Sequence, residues 1–545
     1  MSIYRNDMPR HHKTLAALAL ASAVMLSLPW LVPHTGFIAL FGFIPLLEME
    51  RYATANGVRR FWIWHYLTFV LWNAFTTFWV CWATVGGGIF AVLANALQMS
   101  LVFGLFRLSK KKLSGPLPYI FLAVTWIAWE RAYFSAQISW PWLVLGNSLA
   151  TSPKLAQWYE ITGVEGGSLW ILLCSWLTFV LITGITSGRK AAARWTAAAL
   201  GALALIPACA SLIRYYSYQE KGEAVECVLA QPNVDPFMKY GYIPQDKLDE
   251  ALLKLFDTQI TPETRYLITP ETFTYDLDLN IPDSNHSFVR FENYMKEHPG
   301  ATMLLGALTR RIYGPLQEKP SPTARRSGSI WYDVYNSAMT IGGDGLIEYY
   351  HKSKLVPGVE IIPYQNALPW LGDFLSKFGG STSSYGTMER MNAIGGLDGN
   401  RVAPMICYES LYGDWSTAAV RDGATFLAVI TNDGWWGDTP GYHQHFRFAG
   451  LRAIENRRDV AHVANTGISG FINQRGDVLQ KTGWWVETAI RGEVHTNEAL
   501  TFFSRYGDYV GRASQWLAAA LILLLLLISV WDRISSRGIS GAGKP

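Results

Sequence analysis

APMICYESLYGDW, residues 403–415, opens as a short apolar run of the kind that forms a buried strand, then delivers a cysteine into a Tyr-Glu-Ser turn. The chain holds five cysteines, and a free thiol at a strand end is either a small buried packer or a nucleophile. Around it, β-rich runs alternate with amphipathic stretches. AVECVLAQ (224–231), RYLITP (265–270), ATMLLGAL (301–308), SIWYDVYNSAMTIG (329–342), GLIEYYHKSKL (345–355), ATFLAVITND (424–433), AHVANTGISGFINQRG (461–476) and IRGEVHT (490–496) read as strands. Helices are predicted over 244–259, 287–297 and 442–457. This alternation predicts an α/β domain, and two hairpin-like pairs, 329–355 and 461–496, predict a sheet that is not wholly parallel.

Outside this region the composition changes. Half of the residues in the chain are hydrophobic and 16% are charged. Seven long apolar stretches precede residue 214, and SQWLAAALILLLLLISVW (514–531) closes the chain. Crossing a bilayer takes about 20 apolar helical residues, so the chain reads as an integral membrane protein. Spans are predicted near 15–32, 35–48, 62–82, 88–108, 116–133, 165–185, 193–213 and 514–531; the second is short and contains Pro45. Basic clusters fall at Arg5, Arg10 and Lys13; Arg51, Arg59 and Arg60; Arg107 and Lys110 to Lys112; Arg189, Lys190 and Arg194; and Arg533, Arg537 and Lys544. With eight spans, every cluster lies on one side, which is then cytoplasmic. The expected organisation is transmembrane helices over 1–213, one outer domain over 214–513, and a last helix with a cytoplasmic tail over 514–545. The net charge of +4 is a topology signal and points to no nucleic acid. RHHKTLAALALASAVMLSL (10–28) reads as an uncleaved first helix, because cleavage after Ala23 leaves too short an apolar core.

Cys81, Cys174 and Cys209 lie within spans and read as apolar packers, and Cys227 as a buried residue of the first strand. Residues 364–399 form a long connection whose Trp370, Leu371, Phe374, Leu375 and Phe378 are too apolar for a solvated loop. It is expected either to dip into lipid as a lid or to pack on the sheet.

Three ionisable residues stand at predicted strand ends: Glu271, Lys352 and Cys407. Strand ends hold reactive groups on a rigid frame while leaving their tips open. An ammonium near a thiol favours the thiolate, and a carboxylate can take the thiol proton. The ammonium, with the backbone N–H of Tyr408, would also stabilise an oxyanion. Taken singly, each is weak: a lone cysteine at a strand end is more often structural.

Their order and surroundings carry more. PETF (270–273), YNSAMTIGGDGLIEYYHKSKLVP (335–357), ICYES (406–410), ITNDGWWGD (430–438) and QHFRFAGLRAIENRRDVAHVANTGISGFINQRG (444–476) resemble the nitrilase, or carbon-nitrogen hydrolase, superfamily. The resemblance covers residue 224 to about 495 and implies an α-β-β-α sandwich with a Glu-Lys-Cys triad. One branch, the apolipoprotein N-acyltransferases, carries such a domain on eight spans, and the chain is similar to it along nearly its whole length. WERAYFSAQISWPWLVLGNSLATSPKLAQWYEITGVEGGSLW (129–170) resembles that family's outer loop, and LVPGVEIIP (355–363) its segment after the lysine. There the family usually has Phe-Gly-Glu where this chain has Gly358-Val359-Glu360. The resemblance therefore implies an essential role for Glu360, places Tyr408 and Glu409 after the nucleophile, and matches Trp435 to an aromatic near the substrate. Plain structural readings stand beside these: Glu409 paired with Arg447 or Arg452, Trp435 and Trp436 as core aromatics, Glu130-Arg131 as an interfacial ion pair. Lys354 competes with Lys352, but the eight-residue spacing to Glu360 favours Lys352.

The implied reaction moves an acyl chain from a phospholipid, phosphatidylethanolamine by expectation, to the amino group of a diacylglyceryl-cysteine lipoprotein through a Cys407 thioester. The expected site is a bacterial inner membrane with the catalytic domain on the periplasmic face. No metal, nucleotide or organic cofactor is implied: no phosphate-binding Gly-rich loop occurs, and His443 and His445 have no acidic or cysteine partner at ligand spacing. A membrane-anchored amidase acting on a small amide is the alternative, and a transporter or assembly protein with a degenerate domain is a further rival.

Overall fold

A computed structural model describes residues 8–541 except 240, 366, 369, 371–380 and 382. Among the described residues five helices are long and apolar enough to cross a membrane: His11–Leu31, Val85–Ser109, Tyr159–Thr186, Lys190–Ser217 and Tyr509–Ser535. The stretch expected as a short second span is a 3-10 turn, Gly36–Phe41, followed by a helix over Ile44–Ala55. Pro45 explains the break, because proline is accommodated in a first helical turn and not in an interior. The third stretch is likewise interrupted, into Trp62–Thr77 and Val80–Ala83. Cys174 is buried as expected, whereas Cys209 is exposed, on a helix with little protein against it.

The β-rich part forms two sheets. The first contains β1 (Ala224–Gln231), β2 (Thr264–Ile268), β3 (Thr274–Asp278), β4 (Thr302–Gly314), β5 (Arg325–Ser327), β6 (Ile330–Gly342) and β7 (Gly345–His351). The second contains β8 (Ile394–Gly395), β9 (Arg401–Ile406), β10 (Phe426–Thr431), β11 (Val460–Ala464), β12 (Gly470–Ile472) and β13 (Val478–Lys481). The last strand, β14 (Thr488–His495), returns to the first sheet and pairs antiparallel with β1. This corrects the expected 461–496 hairpin: β11, β12 and β13 pair antiparallel in succession, and β14 crosses over to the first sheet. Both sheets are mixed, with β1, β2 and β4 parallel in one and β9, β10 and β11 parallel in the other.

The sheets pack face to face. Cys227, Leu229, Tyr266 and Ile268 of the first share a core with Met405, Ile406, Phe426 and Val429 of the second. Helices cover both outer faces. Gln245–Asp257 buries Leu248, Leu252, Leu255 and Phe256, a helical stripe, on the first sheet. The helix His286–Glu297 joins it, its first turn capped by the Asn285 side chain, which accepts from the Phe288 N–H at 3.1 Å.

On the second sheet, Pro440–Asn456 buries Phe446, Ala449 and Ala453 against the strands, while its Phe448, Leu451 and Ile454 join the core of the helical bundle. Apolar on both sides, it joins sandwich and bundle into one packed body.

Candidate active site

Three strand ends meet. β2 ends at Ile268, and Glu271 follows after a Thr-Pro step whose chain lies hard against β4: a Cβ on Gly306 would sit 2.3 Å from the Pro270 carbonyl oxygen and 2.9 Å from Glu271 Cα. Glycine is therefore required there. β7 ends at His351 and hands over to Lys352, whose N–H donates to the Asn336 carbonyl at 2.8 Å. β9 ends at Ile406, and Cys407 turns the chain with φ of 51°, left-handed backbone that costs about 1–2 kcal/mol for a residue with a Cβ.

Lys352 is fully buried, its Nζ 3.0 Å from Glu271 Oε1 and 3.0 Å from Glu360. Burial opposes its charge, but Glu271 and Glu360 together outweigh that and hold its pKa well above the ordinary lysine value. Asn336 closes the cluster from β6, its Nδ2 donating to Glu271 Oε1 at 2.8 Å and to Glu360 Oε1 at 2.9 Å. The Glu360 carboxylate also accepts from the Val356 N–H at 2.8 Å, which fixes its loop. Lys354 points elsewhere: its Nζ donates to the Phe134 carbonyl at 2.8 Å and lies over the Trp415 ring.

The Cys407 thiol is close enough to feel both Glu271 and Lys352. Its pKa is nevertheless pushed well above the ordinary thiol value, first by burial and then by Glu271, with Lys352 pulling the other way. The expected thiolate-favouring field is present but outweighed, so the resting group is a thiol. An arrangement of this kind suits proton transfer to a base during attack rather than a preformed anion.

Glu409 is bound by backbone and hydroxyl groups, not by arginine. One oxygen accepts from Tyr350 Oη at 2.6 Å, the Ser353 N–H at 2.8 Å, Ser353 Oγ at 2.9 Å and the Lys354 N–H at 3.1 Å; the other accepts from the Ile406 N–H at 3.0 Å. It thereby ties the turn after Lys352 to the turn at Cys407. The suggested partner Arg452 pairs with Glu455 instead. Glu409→Gln is expected to destabilise the folded protein by about 2–3 kcal/mol, since an amide offers fewer acceptors to these donors; thermal melting in detergent checks it.

Tyr408 reaches from the same turn into the bundle. Its Oη donates to the Ser139 carbonyl at 2.6 Å, and its ring stacks on Trp140. Trp435 is half-buried with its ring edge on Phe237, while Trp436 packs on Trp79, Trp142 and His445. Glu130 and Arg131 do not pair with each other, because adjacent helical residues point apart. Glu130 accepts from the Leu145 N–H at 2.9 Å, and Arg131 binds Asp508 at 2.5 Å. In the 364–399 connection, Trp370 is exposed, and Leu371, Phe374, Leu375 and Phe378 lie outside the described residues.

Four residues at the site have roles that the sequence did not assign. Asn336 was legible in principle: an amide within the core strand VYNSAMTI must find polar partners. Lys239, wholly buried, donates to the Glu271 carbonyl at 3.2 Å, and burial pulls its pKa down to about 7. Asp433 and His445 form a buried pair beneath Cys407. Among the described residues no group of three or more His, Cys, Asp or Glu is placed to hold a metal ion.

Two family models match the chain. One, described as Carbon-nitrogen hydrolase, covers residues 312–499, and one, described as Apolipoprotein N-acyltransferase N-terminal domain, covers 22–177. A protein of Chlorobaculum tepidum named apolipoprotein N-acyltransferase is 28% identical over 96% of this chain and 98% of its own length. One of the same name from Geobacter metallireducens is 26% identical over 90% and 91%. Among solved structures, Nit3 of Saccharomyces cerevisiae, a member of branch 10 of the nitrilase superfamily, matches with 15% identity and a TM-score of 0.35, covering 53% of this chain and 95% of that one.

Proposed function

We infer, for a chain that belongs to the apolipoprotein N-acyltransferase family, an acyl transfer in two halves through Cys407. The protein is a membrane acyltransferase of lipoprotein maturation. In the proposed first half, Cys407 Sγ attacks the ester carbonyl of a phospholipid, phosphatidylethanolamine in our reading, as its proton passes to Glu271. The C–O bond breaks, Glu271 returns the proton to the departing lysophospholipid, and a thioester remains. In the second half the α-amino group of a diacylglyceryl-cysteine lipoprotein attacks. Glu271 takes a proton from the nitrogen, the C–S bond breaks and the thiol is restored. A thioester suits this task because it hydrolyses slowly yet reacts readily with amines.

Lys352 has three N–H donors, and Glu271 and Glu360 take two. We assign the third to the oxyanion of each tetrahedral intermediate, with the Tyr408 N–H as second donor. Glu360 and Asn336 hold the ammonium, and Glu409 joins the turns that carry Lys352 and Cys407. Trp435 is assigned to the substrate rim. We further propose eight crossings with both termini cytoplasmic, which puts every basic cluster on one face, and domain limits of 1–213, 214–513 and 514–545. The catalytic domain is then periplasmic.

The observation that carries this reading is the junction itself. The turn bearing the strained Cys407 is fastened through Tyr408 to Ser139, in the loop between the helices Leu117–Ser135 and Tyr159–Thr186. A thiol seated there suits lipid substrates. The test is intact-mass spectrometry of the protein after incubation with phosphatidylethanolamine. The expected result is a gain of one acyl group, mapped to the Cys407 peptide and discharged by a diacylated lipopeptide as an N-acyl amide. No adduct, or discharge by water with the lipopeptide unmodified, would favour the membrane-bound amidase.

A further inference from the structure

We propose that Asp433 and His445 are a positioning pair for the nucleophile: together they hold the Cys407 carbonyl in its strained turn and set the net charge beneath the thiol. The inference rests on the reading of Cys407 as the acylated residue.

Geometry carries it. His445 projects from the helix Pro440–Asn456, and Asp433 lies just beyond the end of β10. Nδ1 of His445 donates to Asp433 Oδ1 at 2.9 Å, and the Thr431 hydroxyl donates to the same oxygen at 2.8 Å. On the other side of the ring, Nε2 lies 3.1 Å from the Cys407 carbonyl oxygen and 2.8 Å from Ser410 Oγ. Ser410 Oγ in turn donates to that carbonyl at 2.8 Å. Donors at both ring nitrogens satisfy Asp433 and the Cys407 carbonyl at once, an arrangement that favours the imidazolium. Asp433, His445, Ser410 and Thr431 are all wholly buried, and Asp433 Oδ2 has no hydrogen-bond partner among the described residues.

A buried carboxylate is tolerated only with a compensating charge. His445 supplies it: burial works against the imidazolium, but Asp433 more than offsets this and raises its pKa. The groups facing His445 are Asp433, Glu271 and His462, and His462 is held neutral by burial and donates from Nδ1 to the Ile468 carbonyl at 3.0 Å. Those facing the thiol are Glu271, Lys352 and Asp433, with Thr431 also in contact. The pair is therefore neutral as a whole, while either half alone would bias the thiol.

The test uses the full-length protein and follows alkylation of the Cys407 peptide by iodoacetamide against pH, with acyl-adduct formation from phosphatidylethanolamine measured in parallel. His445→Gln keeps a donor but leaves Asp433 uncompensated, so the alkylation midpoint should rise by about one pH unit. The adduct rate at fixed pH should fall about ten-fold with the KM for phospholipid unchanged. Asp433→Asn should lower the midpoint, and the double variant should return toward wild type. If one pair variant fails to fold, the direction of the midpoint in the other single variant still decides. Midpoints that stay fixed or that move in the same direction in both single variants would overturn the proposal, leaving the pair a purely structural contact. If wild type forms no Cys407 adduct, the nucleophile reading fails, while the alkylation midpoints still decide whether the pair sets the thiol's charge.

Discussion

Lys352→Met is expected to abolish acyl-adduct formation and to lower the melting temperature at once. The ammonium sits between two carboxylates that are themselves about nine-tenths buried, so its loss leaves Glu271 and Glu360 facing each other without a counter-charge. Breaking a buried ion cluster from one side costs about 3–5 kcal/mol. The loss of one oxyanion donor alone is worth about 10²–10³ in rate. Because the folded-state pKa of Lys352 is raised, its stabilising contribution is complete at neutral pH and fades only as pH climbs beyond the ordinary lysine value and through the folded one. Adding Glu360→Gln to Lys352→Met should recover much of the melting temperature and none of the activity. Adduct formation within ten-fold of wild type in Lys352→Met would remove the lysine from the mechanism.

Glu271→Gln should slow acylation by about 10²–10⁴, the usual contribution of a general base, with a smaller effect on folding than Lys352→Met because Glu360 still balances the Lys352 charge. The pH dependence distinguishes this from a packing defect. The Cys407 thiol has a raised pKa, so without a base the reactive thiolate is scarce at neutral pH and grows ten-fold for each pH unit below that pKa. The variant's acylation rate should climb steadily with alkalinity, narrowing its deficit against a wild type that depends less on bulk hydroxide. A deficit constant across pH would argue against the base assignment.

Much of the scaffold was legible because its strands are buried on both faces. AVECVLAQ coincides with β1, and SIWYDVYNSAMTIG differs from β6 by one residue. The strands that escaped are short or exposed: β3 is interrupted by a register shift, and β13 is solvent-facing at every position. The crossing of β14 to the first sheet escaped because residue spacing carries no information about which sheet a strand will join. At the site, local motifs singled out Glu271 and Lys352, which the structure brings to 3.0 Å. The company of Glu409 was misjudged, since backbone N–H donors leave no mark in a sequence. His445 was weighed only as a metal ligand, because its partner Asp433 lies on a separate turn.

The pairing of β1 with β14 also has a consequence for biosynthesis. The register runs from Ala224 opposite His495 to Gln231 opposite Thr488, so the earliest strand of the domain waits for the latest. Until the ribosome has passed residue 495, β1 is an open edge whose unpaired N–H and C=O groups can recruit stray strands. Such distant pairing closes slowly. The helix Tyr509–Gly541 begins shortly after β14, so completion of the sheet and insertion of the last apolar helix fall almost together. A nascent chain released early, or clipped before residue 488, would carry the thiol without a finished sheet around its base, and quality control would meet a sticky edge in place of a working transferase.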